Sequence, residues 1–166
     1  MIEFVLKDRR LRLYPDGKIV SRAIKSGKET KTEIWHEIKF CDDNGYLKCS
    51  LTVDGVSRRF KQHRLFHLAR NPGWDIFDIS PNNCIDHINH DRADNTDANL
   101  RVVTSQQNNF NTNAKGYCWD KQAKKWRAYI QADGNLEYLG LFVKEEDARA
   151  AYLEAKERLH IIPPLS

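Results

Sequence analysis

Apolar and polar residues alternate along the first third of the chain. In Arg10-Leu11-Arg12-Leu13-Tyr14 the leucines recur with period two, which predicts a strand. Asp16-Gly17, Asn44-Gly45 and Asp54-Gly55 read as hairpin turns. Strands are expected over Glu33–Phe40 and Tyr46–Val53, with Val56–Lys61 pairing back. A helix is expected over Gln62–Arg70, with Leu65, Phe66, Leu68 and Ala69 on one apolar face and Asn71-Pro72-Gly73 ending it. The middle reads strand (Asn83–His87), loop (Ile88–Ala98), strand (Leu100–Val103) and helix. That helix is announced by Thr104-Ser105-Gln106-Gln107, a capping box. The tail predicts three strands, Tyr117–Asp120, Lys125–Gln131 and Leu136–Phe142, with Asp133-Gly134 as a turn. A helix follows over Glu145–Leu159, where Ala148, Ala151, Tyr152, Ala155 and Leu159 recur at helical spacing. Acidic residues open it and Lys156 and Arg158 close it, as the helix dipole favours. Lys144 stands where Ser or Thr would cap, at a cost of about 1 kcal/mol. Pro163-Pro164 finishes the chain. The fold class expected is α+β.

Composition excludes several classes. At 40% hydrophobic and 30% charged, the 166 residues have a globular balance. No apolar run approaches the roughly 20 residues of a membrane helix. Met1–Asp8 does not read as a signal peptide. Cys41, Cys49, Cys84 and Cys118 form no C-x-x-C pair, which argues against a disulfide framework or a cysteine zinc site. A reduced, cytoplasmic home is expected.

Charge divides the chain further. The net charge is +4, but residues 1–75 hold +6, residues 76–112 hold −3 and residues 113–166 hold +1. The acids of the middle are all Asp, and Asn82, Asn83, Asn89, Asn95, Asn99, Asn108, Asn109 and Asn111 accompany them. Two readings stand. Asn and Asp favour turns, and their oxygens also suit a hard cation.

The chemistry converges on Asp86-His87, Asn99 and Asn108. Asp86 offers a carboxylate oxygen and Asn108 an amide oxygen. An imidazole, with its ordinary pKa near 6.5, is mostly neutral at pH 7 and can take a proton from water. A cation beside a general base is the minimum for hydrolysing a phosphodiester. Adjacent strand residues point to opposite faces, so Asp86 and His87 share a site only where the strand ends or twists. Each residue alone has a plain structural reading: a turn for Asp86, a satisfied histidine for His87, a polar helix face for Asn108. His90 is a rival base, better read as a loop or substrate contact, and His63 suits buried packing.

The run Cys84-Ile85-Asp86-His87-Ile88-Asn89, Asn95, Asn99-Leu100-Arg101-Val102-Val103-Thr104 and Gln107-Asn108-Asn109 resembles the HNH nuclease motif, closest to its phage and intron-encoded homing-endonuclease branch. The likeness extends from Gly45-Tyr46-Leu47 through His63-Arg64-Leu65, so that it covers about residues 43–112. It implies a ββα-metal core holding one Mg²⁺ or Mn²⁺ through Asp86 and Asn108. It makes His87 the general base and Asn99 the asparagine that holds the loop and orients His87. It implies products with 5′ phosphate and 3′ hydroxyl, and a bacterial host cell if the gene is phage-borne. Many HNH proteins carry His where Asn108 stands.

The tail has a likeness of its own. Lys115-Gly116-Tyr117-Cys118-Trp119-Asp120, Lys125-Trp126-Arg127-Ala128-Tyr129-Ile130, Leu139-Gly140-Leu141-Phe142 and Ala148-Arg149-Ala150-Ala151-Tyr152 resemble the ethylene-response-factor type DNA-binding domain. Such a domain puts a three-stranded sheet, backed by one helix, into the major groove. Alternation places Arg127, Tyr129 and Gln131 on one face, away from Ala128 and Ile130. With Tyr138 of the next strand they are expected to face DNA. The plant pattern carries more arginine there. Lys115 is a candidate phosphate contact, as are Arg9, Arg10 and Arg12 of the basic front.

The whole is expected to be a three-part endonuclease acting on double-stranded DNA. Residues 1–75 form a basic, antiparallel β-rich DNA-binding region and 76–112 the nuclease core. The sheet-and-helix domain occupies 113–160, and 161–166 are a tail. A monomer, or a transient dimer, is expected; one site cuts one strand per event. The alternatives are a non-catalytic DNA-binding regulator and a restriction or repair nuclease with the same chemistry.

Overall fold

The structure is a computed structural model that describes residues 1–23 and 34–162. Pro163-Pro164 and Glu33 lie outside the described residues. The fold is mixed α+β, and the described residues form small antiparallel sheets and three α-helices. The chain divides into two compact units. One comprises Met1–Ser80 with Ile85–Val102, the other Pro81–Cys84 with Val103–Ser166. The HNH-like stretch therefore contributes to both.

The first unit holds a four-stranded sheet in the order β1 (Ile2–Leu6), β2 (Arg9–Leu13), β3 (Ile19–Ala23), β4 (His36–Glu37). A second sheet contains β5 (Cys41–Asp43), β6 (Tyr46–Val53) and β7 (Val56–Lys61). Turn chemistry sets the registers. Asn44-Gly45 joins Asp43 to its partner Tyr46, and Asp54-Gly55 joins Val53 to Val56. All four turn residues have positive φ. That is the two-residue hairpin turn that Asn-Gly and Asp-Gly favour. Lys7-Asp8 closes the β1–β2 hairpin in the same span, with Lys7 at φ 55°. It has no glycine, so β1 escapes the turn-based reading. The strand expected over Glu33–Phe40 is corrected to the two residues of β4, which pair with Val20 and Ser21.

Helix α1 (Gln62–Arg70) buries Leu65, Phe66, Leu68 and Ala69, the face its spacing predicts, and packs on β1, β6 and β7. These residues join Phe4, Leu11, Ile19, Val53, Phe60 and Ile85 in one continuous core. Strands β8 (Cys84–His87) and β9 (Leu100–Val103) pair as a two-stranded sheet. A single 3-10 turn, Asp97–Asn99, leads into β9.

The second unit holds α2 (Ser105–Phe110), the sheet β10 (Tyr117–Asp120), β11 (Lys125–Ala132), β12 (Asn135–Phe142), and α3 (Glu145–Leu159). Thr104 caps α2 with both halves of the capping box formed. Lys144 begins α3 with no side-chain cap. Asp133-Gly134, both at positive φ, turns β11 into β12. Ala128 and Ile130 are buried, and α3 packs on β11. The core here is Ile130, Tyr152 and Ala155 with Tyr117, Leu139 and Leu159. Gly116 sits at φ 67°, and a Cβ on it would overlap the Tyr152 ring.

Candidate active site

The segment between β8 and β9 is tied down by its own side chains. Asn89 Oδ1 accepts from the Asp91 N–H, Asp91 Oδ1 from Ala93, and Asp94 Oδ1 from Thr96. Asn89 Nδ2 donates to Asp94 Oδ2. The Thr96 hydroxyl and amide hold the Asp94 carboxyl below the usual carboxylate range. For these residues the turn-forming role of Asn and Asp is the one realised. Asn99 sits under the loop: its Oδ1 accepts from the Asn89 N–H at 2.9 Å and its Nδ2 donates to the Asp94 carbonyl at 2.7 Å.

His87 closes β8 and is 5% exposed; Asp86 beside it is 4% exposed. Their side chains diverge as strand alternation requires. Asp86 Oδ2 accepts from both Nε and Nη2 of Arg101 on β9, at 2.9 and 2.7 Å. A buried carboxylate needs such a partner, because an unpaired charge there is costly. The His87 ring lies 5.1 Å from the ring of His63 on α1 and 6.0 Å from that of Tyr46 on β6. Burial, and then the neighbouring His87, push the His63 imidazole down to about 3. His63 is therefore neutral at pH 7 and puts no charge against His87.

One expectation is corrected here. The hydrogen bond that orients His87 comes from Asn95. His87 Nε2 lies 3.0 Å from Asn95 Oδ1, and Asn95 Nδ2 donates to Gln62 Oε1 at 3.0 Å. Both side-chain ends of Asn99 are spent on the loop. The amide of Asn95 thus faces its oxygen to the ring and its nitrogen to α1. Arg70 of α1 also donates to the Asn95 backbone carbonyl. With Nε2–H donating to Asn95, the basic nitrogen of neutral His87 is Nδ1. The motif-like run includes Asn95 without assigning it a role, and Gln62 lies 33 positions away.

His90 is exposed at φ 66° in the loop, where its N–H bonds the His87 carbonyl. Asn108 stands on α2, in the second unit. Among the described residues no three His, Cys, Asp or Glu side chains gather as a metal cage. Asp86 is a carboxylate, a hard oxygen donor, held in place by Arg101. That chemistry fits a hard divalent cation whose other ligands are neutral oxygens.

Residues 79–110 match the family model described as HNH endonuclease. The match takes in Asp86, His87, Asn95, Asn99 and Asn108, and leaves Tyr46, Gln62 and His63 outside it. No curated protein and no solved structure matches the chain. Among the described residues no helix is long and apolar enough to cross a membrane.

The residues expected to touch DNA are placed unevenly. In the first unit, Arg9 Nε donates to the Thr52 carbonyl, and Arg12 Nε lies 2.9 Å from Glu3 with its guanidinium 4.0 Å above the Trp35 ring. Arg10 lies 3.9 Å from Glu3. These three arginines are engaged within the protein. In the second unit Arg127, Tyr129, Gln131 and Tyr138 are all exposed on the face opposite Ala128 and Ile130. Tyr129 and Tyr138 pair directly across β11 and β12. Arg127 lies 3.6 Å from Asp120, and Lys115 is exposed. Trp119 and Trp126 meet edge to face at 5.4 Å across β10 and β11.

Proposed function

We propose that this chain is a metal-dependent HNH endonuclease of the homing type that hydrolyses phosphodiester bonds in double-stranded DNA. The observation that carries the reading is the Gln62–Asn95–His87 hydrogen-bond chain, whose Asn95 and buried His87 lie in the segment that matches the HNH endonuclease model. It fixes one tautomer of one imidazole, which is what a general base requires. His87 takes a proton from water at Nδ1, and Asn95 holds the ring while it becomes cationic. Neutral His63 keeps a second positive charge away from it. Asn99 holds the loop that carries Asn95. Asp86 would hold one divalent cation, Mg²⁺ or Mn²⁺. Bound there, the cation supplies positive charge to the phosphoryl oxygens and the leaving 3′ oxygen. Arg101 sets the orientation of Asp86 and offsets its charge before any cation binds.

We further propose that the sheet of the second unit binds flanking DNA, as an ethylene-response-factor type domain does, through Arg127, Tyr129, Gln131 and Tyr138. Their shared exposure supports this reading. Incubation with supercoiled plasmid is the test. Nicked circles with Mg²⁺ or Mn²⁺, and none with EDTA, are expected. DNA binding without nicking under every metal tried would make the chain a non-catalytic DNA-binding protein. Sequencing the ends of cleaved library DNA then gives the site, the strand and the 5′-phosphate chemistry.

A further inference from the structure

The outer face of β6 and β7 gathers positive charge beside His87. Residues directly opposite on paired strands share a face. The register sets Lys48 against Lys61 and Ser50 against Arg59, while Cys49 and Phe60 pair toward the core. Tyr46 therefore shares the outer face with Lys48, Arg59 and Lys61. Two cations converge on its ring. Lys61 Nζ lies 4.3 Å and the Arg92 guanidinium carbon 4.6 Å from the ring centroid. Arg92 reaches there from the loop after β8, and its Nη1 donates to the Asn44 carbonyl at 2.7 Å. Arg92 packs against Gly45, where a Cβ would lie 3.4 Å from Arg92 Cδ. Lys48 has Asp43 at 3.0 Å. Among the described residues no carboxylate pairs with Lys61 or Arg92.

Two cations held on one ring repel each other, and the ring's quadrupole offsets only part of that. An anion with several oxygens completes the arrangement, and a guanidinium beside an ammonium suits a phosphodiester. The ring they flank is 6.0 Å from that of His87. We propose that Tyr46, Lys61 and Arg92 form a clamp for a DNA backbone phosphate next to the one attacked by the water that His87 deprotonates, with Arg59 continuing the track along β7. The proposal rests on the nuclease reading for the identity of the strand it holds.

Binding of a fluorescein-labelled 30-bp duplex of mixed sequence, followed by anisotropy in EDTA at several salt concentrations, tests it. Each phosphate contact contributes roughly 0.9 to the slope of log K against log salt. The double variant Lys61→Gln/Arg92→Gln is expected to lose close to two such contributions, about 1.8 in slope. Lys61→Arg/Arg92→Lys is expected to keep the slope, and Lys48→Gln to leave it near wild type. An unchanged slope in a folded double variant overturns the clamp. Should that variant fail to fold, lysine acetylation of the wild-type protein answers instead. Lys61 is expected to be protected by the duplex more than Lys48, and equal labelling of Lys61 with and without duplex overturns the clamp. A wild-type chain that nicks plasmid while slope and labelling stay unchanged sinks the clamp alone. A chain that never nicks plasmid while the slope falls sinks the nuclease reading and leaves a phosphate site standing.

Discussion

The two units treat their polar residues in opposite ways. The first buries His63, Asp86, His87, Asn95 and Asn99 beside a core drawn from two sheets, the β8–β9 pair and α1. The second displays Arg127, Tyr129, Gln131 and Tyr138 on a sheet whose core is little more than Ile130, Tyr152 and Ala155. On the proposed function, the difference follows from what each arrangement would do. A proton-transfer group needs one fixed orientation and tautomer, which only buried, hydrogen-bonded surroundings enforce. Desolvating five polar side chains is unfavourable, and a large apolar core offsets it. A binding face needs access to its partner, so its side chains stay in water and a thin core suffices. On that reading, function costs stability in the first unit and little in the second.

The strongest break of this contrast is at His87. His87→Ala is expected to lower the nicking rate by about 10³-fold or more, with duplex affinity kept; cleavage at the wild-type rate would refute the assigned base. Next comes Arg101→Leu, which takes the guanidinium away from the buried Asp86 carboxylate. Denaturant unfolding is expected to show a loss of about 3–5 kcal/mol, with much of it restored in Asp86→Leu/Arg101→Leu. In the second unit a comparable loss needs a packing lesion. Gly116→Ala forces a Cβ into Tyr152 at positive φ and is expected to cost about 3 kcal/mol.

The buried histidine gives the contrast a pH dependence. The folded value for His63, about 3, lies below the usual 6.5 because of burial. Between those two pH values the unfolded chain binds a proton there that the folded chain does not. Stability therefore falls as pH drops through that window, by up to about 1.4 kcal/mol per pH unit. His63→Phe is expected to flatten that part of the profile when unfolding is compared at pH 7, 5.5 and 4.5. The smallest effect is on the exposed face. Arg127→Ala and Tyr138→Ala are expected to change stability by no more than about 0.5 kcal/mol while weakening duplex binding. A large stability loss there would show that these residues hold the sheet rather than meet DNA.

Much of the architecture is legible in local chemistry. Asn44-Gly45, Asp54-Gly55 and Asp133-Gly134 name their turns because few residues accept positive φ. Thr104 and Gln107 announce α2 because the capping box lies within four residues. The period of Ala148, Tyr152 and Ala155 gives α3 its buried face. Strand β1 is harder to see, since Lys7-Asp8 turns without a glycine. The stretch 33–40 reads as a full strand on alternation, yet among its described residues His36 and Glu37 form the ladder with β3 and Ile38 adds one hydrogen bond to Ile19. Pairing, rather than periodicity, decides a strand's length.

The sequence by itself determined the motif, the positions of Asp86, His87, Asn99 and Asn108 along it, and the elements that carry them. Tertiary structure decided which side chains serve them. Asn95, one asparagine among many, became the partner of His87 because α1 holds it through Gln62 and Arg70. Arg101 became the partner of Asp86 because β8 and β9 pair. Tyr46 came to lie beside both His63 and His87 because β6 runs past them. The physical reason is that turns, caps and periodicity are set by a residue's near neighbours. A hydrogen bond between side chains 33 positions apart depends on how whole elements pack, and no local pattern encodes it.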